Sequence, residues 1–270
     1  MIVPYTVWRQ YGDASIVDAN WNAMERFVGR IAQAKYRRMA DEARAYMRRE
    51  FFSSPDGMVS QVLRGMQTPA LFALKMGLVE GEARERTIAD LKASFAKCGG
   101  RFHTGFLGTS ILLDTLSENG MHDIACNLML GHGLPGWLYS VDQGATTVWE
   151  RWNSYTKEKG FGPVDMNSFN HYAYGSVLAW MYRHLAGISS ESSSPGFRRI
   201  AMAPKPDRRL RHVKAEYRSA AGLVKSFWRY DGDKWTWEFT VPEGSVADVT
   251  LPGETVSREY ASGSHCVNIQ

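Results

Sequence analysis

The stretch GFLGTSILLDTLSENGMHDIACNLML, from Gly105 to Leu130, decides the fold class. Its apolar residues recur at helical spacing from Gly105 to Ser117 and again from His122 to Leu130, and Gly120 between the two runs is a typical helix end. Two helices this close in the chain pack in antiparallel orientation. The stretch therefore predicts a helical hairpin, and successive hairpins build a bundle, a solenoid or an α/α toroid.

Helical periodicity extends on both sides of this hairpin, from Asp13 to about Gly187. Apolar residues at three- and four-residue spacings between Ile16 and Phe51 predict two helices with a break near Gly29 to Ala34. Further helices are predicted at Thr68 to Met76, Gly81 to Lys97 and Ser168 to Ala186. The glycines that follow helical runs are interpreted as left-handed helix ends: Gly77, Gly99, Gly120, Gly131 and Gly187.

The composition changes at Ser189, where a polar run without periodicity predicts a linker over residues 189–196. Beyond it, apolar and polar residues alternate in short runs, and Asp231-Gly232-Asp233 is typical of a hairpin turn. We therefore expect a mainly α domain of stacked helical hairpins over 1–188 and an antiparallel β-sandwich over 197–270. Trp235 and Trp237 lie two apart and share a strand face, which with Trp228 predicts a sandwich core.

Composition and charge exclude several classes of protein. The 270 residues are 44% hydrophobic and 22% charged, which suits domains with real cores and excludes disordered or fibrous chains. The formal net charge of +4 predicts neither nucleic-acid nor membrane binding and favours a neutral partner. No apolar run approaches the roughly 20 residues of a membrane helix, and a signal-peptide pattern is missing, so we expect a cytoplasmic location. Three cysteines without ligand spacing predict no disulfide, and we expect no metal or other cofactor.

Glu150 is the leading candidate for catalysis. In the run GATTVWERWN, from Gly144 to Asn153, it is flanked by Trp149, Arg151 and Trp152. Arg151 can keep the carboxylate charged, and the two indoles can limit water and stack on a sugar, an environment that suits a general base. The alternative is a surface ion pair beside two core tryptophans.

A second polar and aromatic run, MNSFNHYAYG from Met166 to Gly175, predicts the start of a helix with Asn167 or Ser168 as its N-cap. Asn170 and His171 in this run can donate hydrogen bonds to sugar hydroxyls. The alternative for His171 is a histidine satisfied within a core or at its rim.

Two aromatic loops accompany these runs, from His103 to Thr109, which includes Phe106, and from Leu134 to Tyr139. Their glycines permit close backbone approach, either to a ligand or to a packed neighbour. The pattern alone does not choose between the two.

Taken in order, these segments resemble the C-terminal part of the inverting α-L-rhamnosidases of glycoside hydrolase family 78. The resemblance is carried by Thr104–Thr109, Pro135–Tyr139, Gly144–Trp152 and Asn167–Tyr172. It implies an (α/α)6 barrel followed by an antiparallel β-domain, and a carbohydrate substrate with terminal α-L-rhamnose. It also implies Glu150 as general base and His171 as a sugar-binding histidine. The further residues that we expect to contact the substrate are Trp149, Arg151, Trp152, Asn170, Phe106 and Tyr5.

Two features depart from the family pattern. The chain has no Asp-x-x-x-Arg-x-Glu-Arg run, which is where the family carries its general acid, and the family's sequence between the equivalents of Phe27 and Lys35 is absent. Twelve helices with loops need on the order of 240 residues, more than precede the linker, so we expect an incomplete toroid. Its exposed apolar edge, around Ile16, Trp21 and Met24, would allow a homo-oligomer.

Two other classes of function stay open. A non-catalytic module can hold a rhamnose-containing ligand through Trp149, Trp152 and His171, and binding without turnover would identify it. A structural or interaction protein would bury its open helical edge against another chain. A concentration-dependent oligomer whose Tm does not respond to sugar would identify that class.

Overall fold

The computed structural model describes Ser15 and residues 34–52, 66–190 and 194–269. The predictions for Tyr5, for the apolar edge between Ile16 and Phe27 and for the helix break near Gly29 lie outside these residues. Association through that edge therefore stays a prediction. Among the described residues, no helix has the length and apolar character required to cross a membrane.

The first part of the chain is built from helices that follow one another in hairpins. Their bounds are α1 Ala34–Phe52, α2 Gln67–Lys75, α3 Gly81–Lys97, α4 Gly105–Glu118, α5 His122–Leu130, α6 Trp137–Asp142 and α7 Val177–Trp180. Helices α4 and α5 contact each other, and α2 contacts both α3 and α4. Leu71, Leu112 and Leu116 are fully buried, because the apolar stripe of each helix faces its neighbours. The predicted helical hairpins are confirmed.

The helix predicted from Ser168 to Ala186 is wrong in its first half. A 3₁₀ turn at Ala173–Ser176 precedes α7, and a π-helical turn at Met181–Leu185 follows it. Residues 168–171 are not helical because their backbone groups bond to residues 148–150 instead, so the predicted N-cap is also wrong. Gly131 differs from the other four glycines read as helix ends, since its φ of −71° is not left-handed.

A short β-hairpin also interrupts the helical region, where no strand was predicted. Its strands are β1 Tyr155–Thr156 and β2 Gly160–Phe161, which pair in antiparallel orientation. The two-residue strands are too short to produce a periodic pattern in the sequence.

Residues Met39–Ala179 form one compact unit, and Trp180–Gln270 belong to a second. The second unit contains β3 Ile188–Ser190, β4 Arg199–Met202, β5 His212–Ser219, β6 Gly222–Asp231, β7 Lys234–Val241, β8 Val246–Val249, β9 Arg258–Tyr260 and β10 Gly263–Ile269. One sheet has the order β10-β7-β6-β5 and the other β3-β4-β8-β9. Both sheets contribute side chains to a single hydrophobic core, which confirms the sandwich.

One strand pair departs from the expected antiparallel arrangement, because β4 and β8 are parallel. The chain leaves β4, forms the three consecutive strands β5, β6 and β7, and returns as β8 beside β4. In addition, β3 extends into the segment predicted as a linker, and its last two residues, Ser189 and Ser190, pair there with β4. The boundaries 1–188, 189–196 and 197–270 stay a proposal.

The three tryptophans predicted for the sandwich core are buried there, which confirms that prediction. Trp228 is hydrogen-bonded directly to the segment that leads into β3, and Trp237 is connected to it through Ser226. The Trp228 Nε1–H donates to the Leu185 carbonyl at 2.6 Å. The Trp237 Nε1–H donates to Ser226 Oγ, whose own hydroxyl donates to the Ala186 carbonyl. Each buried polar atom in these two links is therefore satisfied.

Gly187 allows the chain to turn into β3 against its neighbouring backbone. Its φ is +74°, and a Cβ placed on it would lie 2.2 Å from the Pro204 nitrogen. We expect Gly187→Ala to lower the free energy of unfolding of the sandwich by about 2–4 kcal/mol, through left-handed strain and a clash with rigid backbone. Urea unfolding followed by tryptophan fluorescence measures the loss.

Gly232→Ala is the matched control for this prediction. Gly232 also has a positive φ, +57°, but no atom lies within 4 Å of its added Cβ. Only the strain remains, so a loss of about 1 kcal/mol is expected. If both variants lose the same free energy of unfolding, the close approach of Gly187 to the Pro204 backbone does not contribute to stability.

Candidate active site

Glu150 is held by the segment that follows the β1–β2 hairpin. Its backbone N–H donates to the Ser168 carbonyl, and its Oε2 accepts the Ser168 N–H, both at 2.8 Å. Farther along, the His171 N–H donates to the Val148 carbonyl at 2.8 Å. Residues 148–150 and 168–171 are thus paired side by side. The pairing fixes the direction of the carboxylate, because a charge-assisted bond to a backbone N–H leaves little freedom.

The other carboxylate oxygen of Glu150 accepts no hydrogen bond from the described residues. The Arg151 N–H donates to Ser154 Oγ at 3.2 Å, and no ion pair joins its guanidinium to Glu150 in this part of the chain. The surface ion pair considered as an alternative is thus not formed between these two residues. The half-buried carboxylate has one anchored oxygen and one that can accept a proton.

An aromatic wall lies beside the paired segments. It consists of Phe102, Phe106, Trp137, Trp152, His171 and Tyr174. The rings of Trp152 and Tyr174 stack with centroids 3.8 Å apart, and Trp137 packs edge-on to Trp152 at 5.2 Å. The Trp137 Nε1–H donates to the Tyr174 carbonyl at 2.8 Å. These contacts make the wall rigid, and its partly exposed rings provide a surface on which the C–H face of a sugar can stack.

A second aromatic group surrounds Trp149, which is only 7% exposed. We call it the hairpin cluster, and it contains Trp149, Tyr155, Phe161 and Phe169. Trp149 packs edge-on against Tyr155 and Phe169 and anchors the chain beside the β1–β2 hairpin. Glu150 thus follows Trp149, which is buried in the hairpin cluster, and precedes by two residues Trp152, which lies in the aromatic wall.

His171 stacks on Phe106 with ring centroids 4.9 Å apart. Its Nδ1 accepts the Ala173 N–H at 3.3 Å, which assigns the proton of the neutral ring to Nε2. Nε2–H is then the group that can donate to a ligand. Asn170, next to it, is exposed, and its backbone N–H donates to Ser168 Oγ.

Sequence reasoning missed the roles of Ser168 and Tyr174. Ser168 binds Glu150 through backbone atoms, which no side-chain pattern reveals. Tyr174 follows His171 by three residues, a spacing that was available as a signal. Burial raises the pKa of Tyr174, so its phenol stays protonated and contributes packing instead of acting as a base.

Comparison with known families assigns both parts of the chain. Residues 32–185 match the family model of the bacterial alpha-L-rhamnosidase 6 hairpin glycosidase domain, and residues 187–265 match that of the bacterial alpha-L-rhamnosidase C-terminal domain. An alpha-L-rhamnosidase of Formosa agariphila is 36% identical over 220 residues, covering 82% of this chain and 23% of the relative. One from Streptomyces avermitilis is 35% identical over 192 residues, covering 71% and 18%. The chain thus spans about a fifth of the length of these relatives.

Solved structures agree with these matches. The Streptomyces avermitilis alpha-L-rhamnosidase complexed with L-rhamnose superposes with a TM-score of 0.85 at 26% identity, covering 99% of this chain and 32% of that one. The native alpha-L-rhamnosidase of Aspergillus terreus gives a TM-score of 0.81 at 27% identity, covering 95% and 29%. The helical hairpins and the following sheet domain are therefore arranged in each part as in known glycosidases.

Proposed function

The chain belongs to the bacterial α-L-rhamnosidase family, and on this premise we propose that it hydrolyses terminal α-L-rhamnosides by inversion, with Glu150 as the general base. The observation that carries the proposal is the environment of the Glu150 carboxylate. Ser168 anchors one oxygen, and the other accepts no hydrogen bond from the described residues. A base of this kind can orient a water molecule and accept its proton as the water attacks the anomeric carbon.

The aromatic wall and His171 are proposed to bind the rhamnose ring. Stacked rings suit the apolar face of a deoxy sugar, and Nε2–H of His171 supplies a hydrogen bond to a hydroxyl. A relative with the same fold was crystallised with L-rhamnose, which supports this class of sugar. Trp152 and Phe106 lie in the wall, Arg151 follows one of the paired segments and Asn170 lies within the other, so all four stay candidates for binding. Trp149 is proposed to position Glu150 more than to touch sugar, since it is buried.

Inversion also requires a general acid, normally a second carboxyl group about 6.5–9.5 Å from the base. We assign this role to no residue of the chain, whose sequence lacks the family's acidic run. A substrate whose leaving group has a low pKa departs without protonation. Such substrates separate the proposed base from any requirement for an acid.

The test is hydrolysis of 4-nitrophenyl α-L-rhamnoside by the full chain, followed by proton NMR during the first minutes. We expect β-L-rhamnose to form first and to equilibrate with the α anomer later. The 4-nitrophenyl α-L-fucoside is the control, and we expect no release of nitrophenol from it. Initial formation of α-L-rhamnose would contradict inversion. Rhamnose binding without turnover would favour the non-catalytic module.

A further inference from the structure

The outward face of the sheet β10-β7-β6-β5 carries a groove. Strand alternation places Trp228 and Trp237 in the core and turns the residues next to them outward. The groove has a volume of about 510 Å³ and crosses all four strands. We call it the outer-sheet groove and define it by its outward side chains, which are Lys214, Glu216, Lys225, Phe227, Glu238 and Thr240. It therefore combines one half-buried aromatic ring with many hydrogen-bonding groups.

A second cavity of about 630 Å³ adjoins this groove at β5 and β6 and shares Lys214 and Phe227 with it. We call this cavity the cationic end. The other residues that line it are Leu210, Arg211, His212, Arg229 and Tyr230. No acidic residue lines it, whereas Glu216 and Glu238 line the outer-sheet groove. Positive charge is therefore concentrated where the outer-sheet groove meets the cationic end.

Two cations at this end, Arg211 and Lys214, have no acidic partner among the described residues. In the outer-sheet groove, by contrast, Lys225 Nζ lies 3.6 Å from Glu216 Oε1. The cationic end thus carries unbalanced charge, although the net charge of the chain is only +4. An anion that enters it meets cations that are not already neutralised.

The backbone at Arg211 is strained, and its conformation sets the direction in which the side chain leaves the main chain. Arg211 has φ +61° and ψ −45°, a region that residues with a Cβ rarely adopt. Its carbonyl accepts the Tyr230 N–H at 2.8 Å, and the turn before it is capped by Asp207. Strain of this kind persists where the surroundings hold it, and it is concentrated at sites of function.

The distribution of charge along the outer-sheet groove and the cationic end favours an acidic oligosaccharide over a nucleic acid. A nucleic acid carries a phosphate at every nucleotide, so it would place negative charge against Glu216 and Glu238 in the outer-sheet groove. An oligosaccharide with one acidic group places that group at the cationic end and hydroxyls against the carboxylates. A pyranose ring can also stack on Phe227, at the boundary between the two cavities.

We propose that the outer-sheet groove binds an acidic oligosaccharide, with a carboxylate or sulfate held at the cationic end by Arg211, His212 and Lys214. The inference rests on the proposed function, because a rhamnosidase meets rhamnose within larger glycans, and this groove would bind an acidic glycan. Its binding is measured without turnover, so its failure is distinguishable from failure of the proposed function.

The experiment is calorimetric titration of the full chain with three tetrasaccharides of equal length: β-1,4-galactotetraose, the same tetrasaccharide with a single terminal galacturonate in place of galactose, and the same tetrasaccharide with a single terminal sulfate. We expect either acidic sugar to bind at least about tenfold more tightly than the neutral one. The comparison between the two acidic sugars identifies carboxylate or sulfate as the preferred anion. A ten-nucleotide single-stranded DNA is titrated in parallel.

Substitutions at two residues test the cationic end. Arg211→Gly removes the cation and relieves the positive φ, so we expect Tm within about 2 °C of the parent and about tenfold weaker binding of the acidic sugar. Lys214→Ala should weaken binding similarly, and Lys214→Arg should restore most of it. Arg218→Ala is the matched control, since Arg218 is an exposed cation on the same strand that lines neither cavity.

Four results would overturn the proposal. The first is equal affinity for neutral and acidic tetrasaccharides, and the second is tighter binding of DNA than of either acidic sugar. The third is absence of binding at millimolar sugar, and the fourth is an equal loss in Arg218→Ala. Hydrolysis of the nitrophenyl substrate is followed in every variant and should not change, because the groove is not part of the proposed catalytic machinery.

Discussion

Replacing Glu150 with glutamine should lower kcat for 4-nitrophenyl α-L-rhamnoside by about 10³-fold. The amide oxygen can still accept the Ser168 N–H, so the segment pairing survives, but the amide cannot accept a proton from water. We therefore expect rhamnose affinity to change less than about twofold and Tm to stay within about 2 °C. Stopped assays with limiting enzyme measure kcat, and differential scanning fluorimetry measures Tm.

Two further variants make this test specific. Glu158→Gln changes an exposed glutamate in the turn of the β1–β2 hairpin and should leave kcat unchanged. In Glu150→Gly, azide can enter the space left by the side chain and attack the anomeric carbon directly, giving β-rhamnosyl azide. Partial recovery of nitrophenol release with azide would support the role of the base. Full activity in Glu150→Gln would remove Glu150 from the mechanism.

Replacing Trp228 with alanine should lower the free energy of unfolding of the sandwich by about 3–5 kcal/mol. Trp228 is fully buried, and its loss leaves a cavity between the two sheets and an unpaired Leu185 carbonyl. Urea titration followed by the remaining tryptophan fluorescence and by circular dichroism measures the change.

Two controls divide this loss into its parts. Trp228→Phe keeps most of the packing but loses the hydrogen bond to Leu185, so a smaller loss of about 1–3 kcal/mol is expected. Val256→Ala changes an exposed side chain in the same domain and should stay within about 0.5 kcal/mol of the parent. A loss for Trp228→Ala no larger than that for Val256→Ala would contradict the assigned core.

Periodicity predicted the hairpins and the sandwich because both depend on which face of an element is buried. The stripe in α4 and the alternation in β6 and β7 reflect burial directly. The range from Ser168 to Ala186 was mispredicted because its first backbone groups bond to residues distant in sequence. The parallel pairing of β4 with β8 was missed for a related reason, since partners far apart in the chain leave no local pattern.

For the candidate site, the sequence identified side chains but not their supports. Glu150 and His171 were chosen for their chemistry and neighbours, and the structure places their segments side by side. Trp149 and Trp152 looked equivalent in the sequence, yet one is buried in the hairpin cluster and the other lies in the aromatic wall. Only packing distinguishes two tryptophans that both flank a carboxylate. Their contributions to catalysis stay predictions.

The parallel pairing of β4 with β8 constrains the order in which the sandwich can assemble. Strands β5, β6 and β7 pair with their neighbours in sequence, so this meander closes through short loops soon after it is synthesised. Strand β4 precedes the meander and must wait for β8, which follows it, and closing that long loop has a larger entropic cost. Until then β4 presents an unpaired edge to other chains, and an unpaired edge is a template for aggregation. Expression that ends before Val246 would therefore leave a chain prone to aggregate, even though its meander is complete.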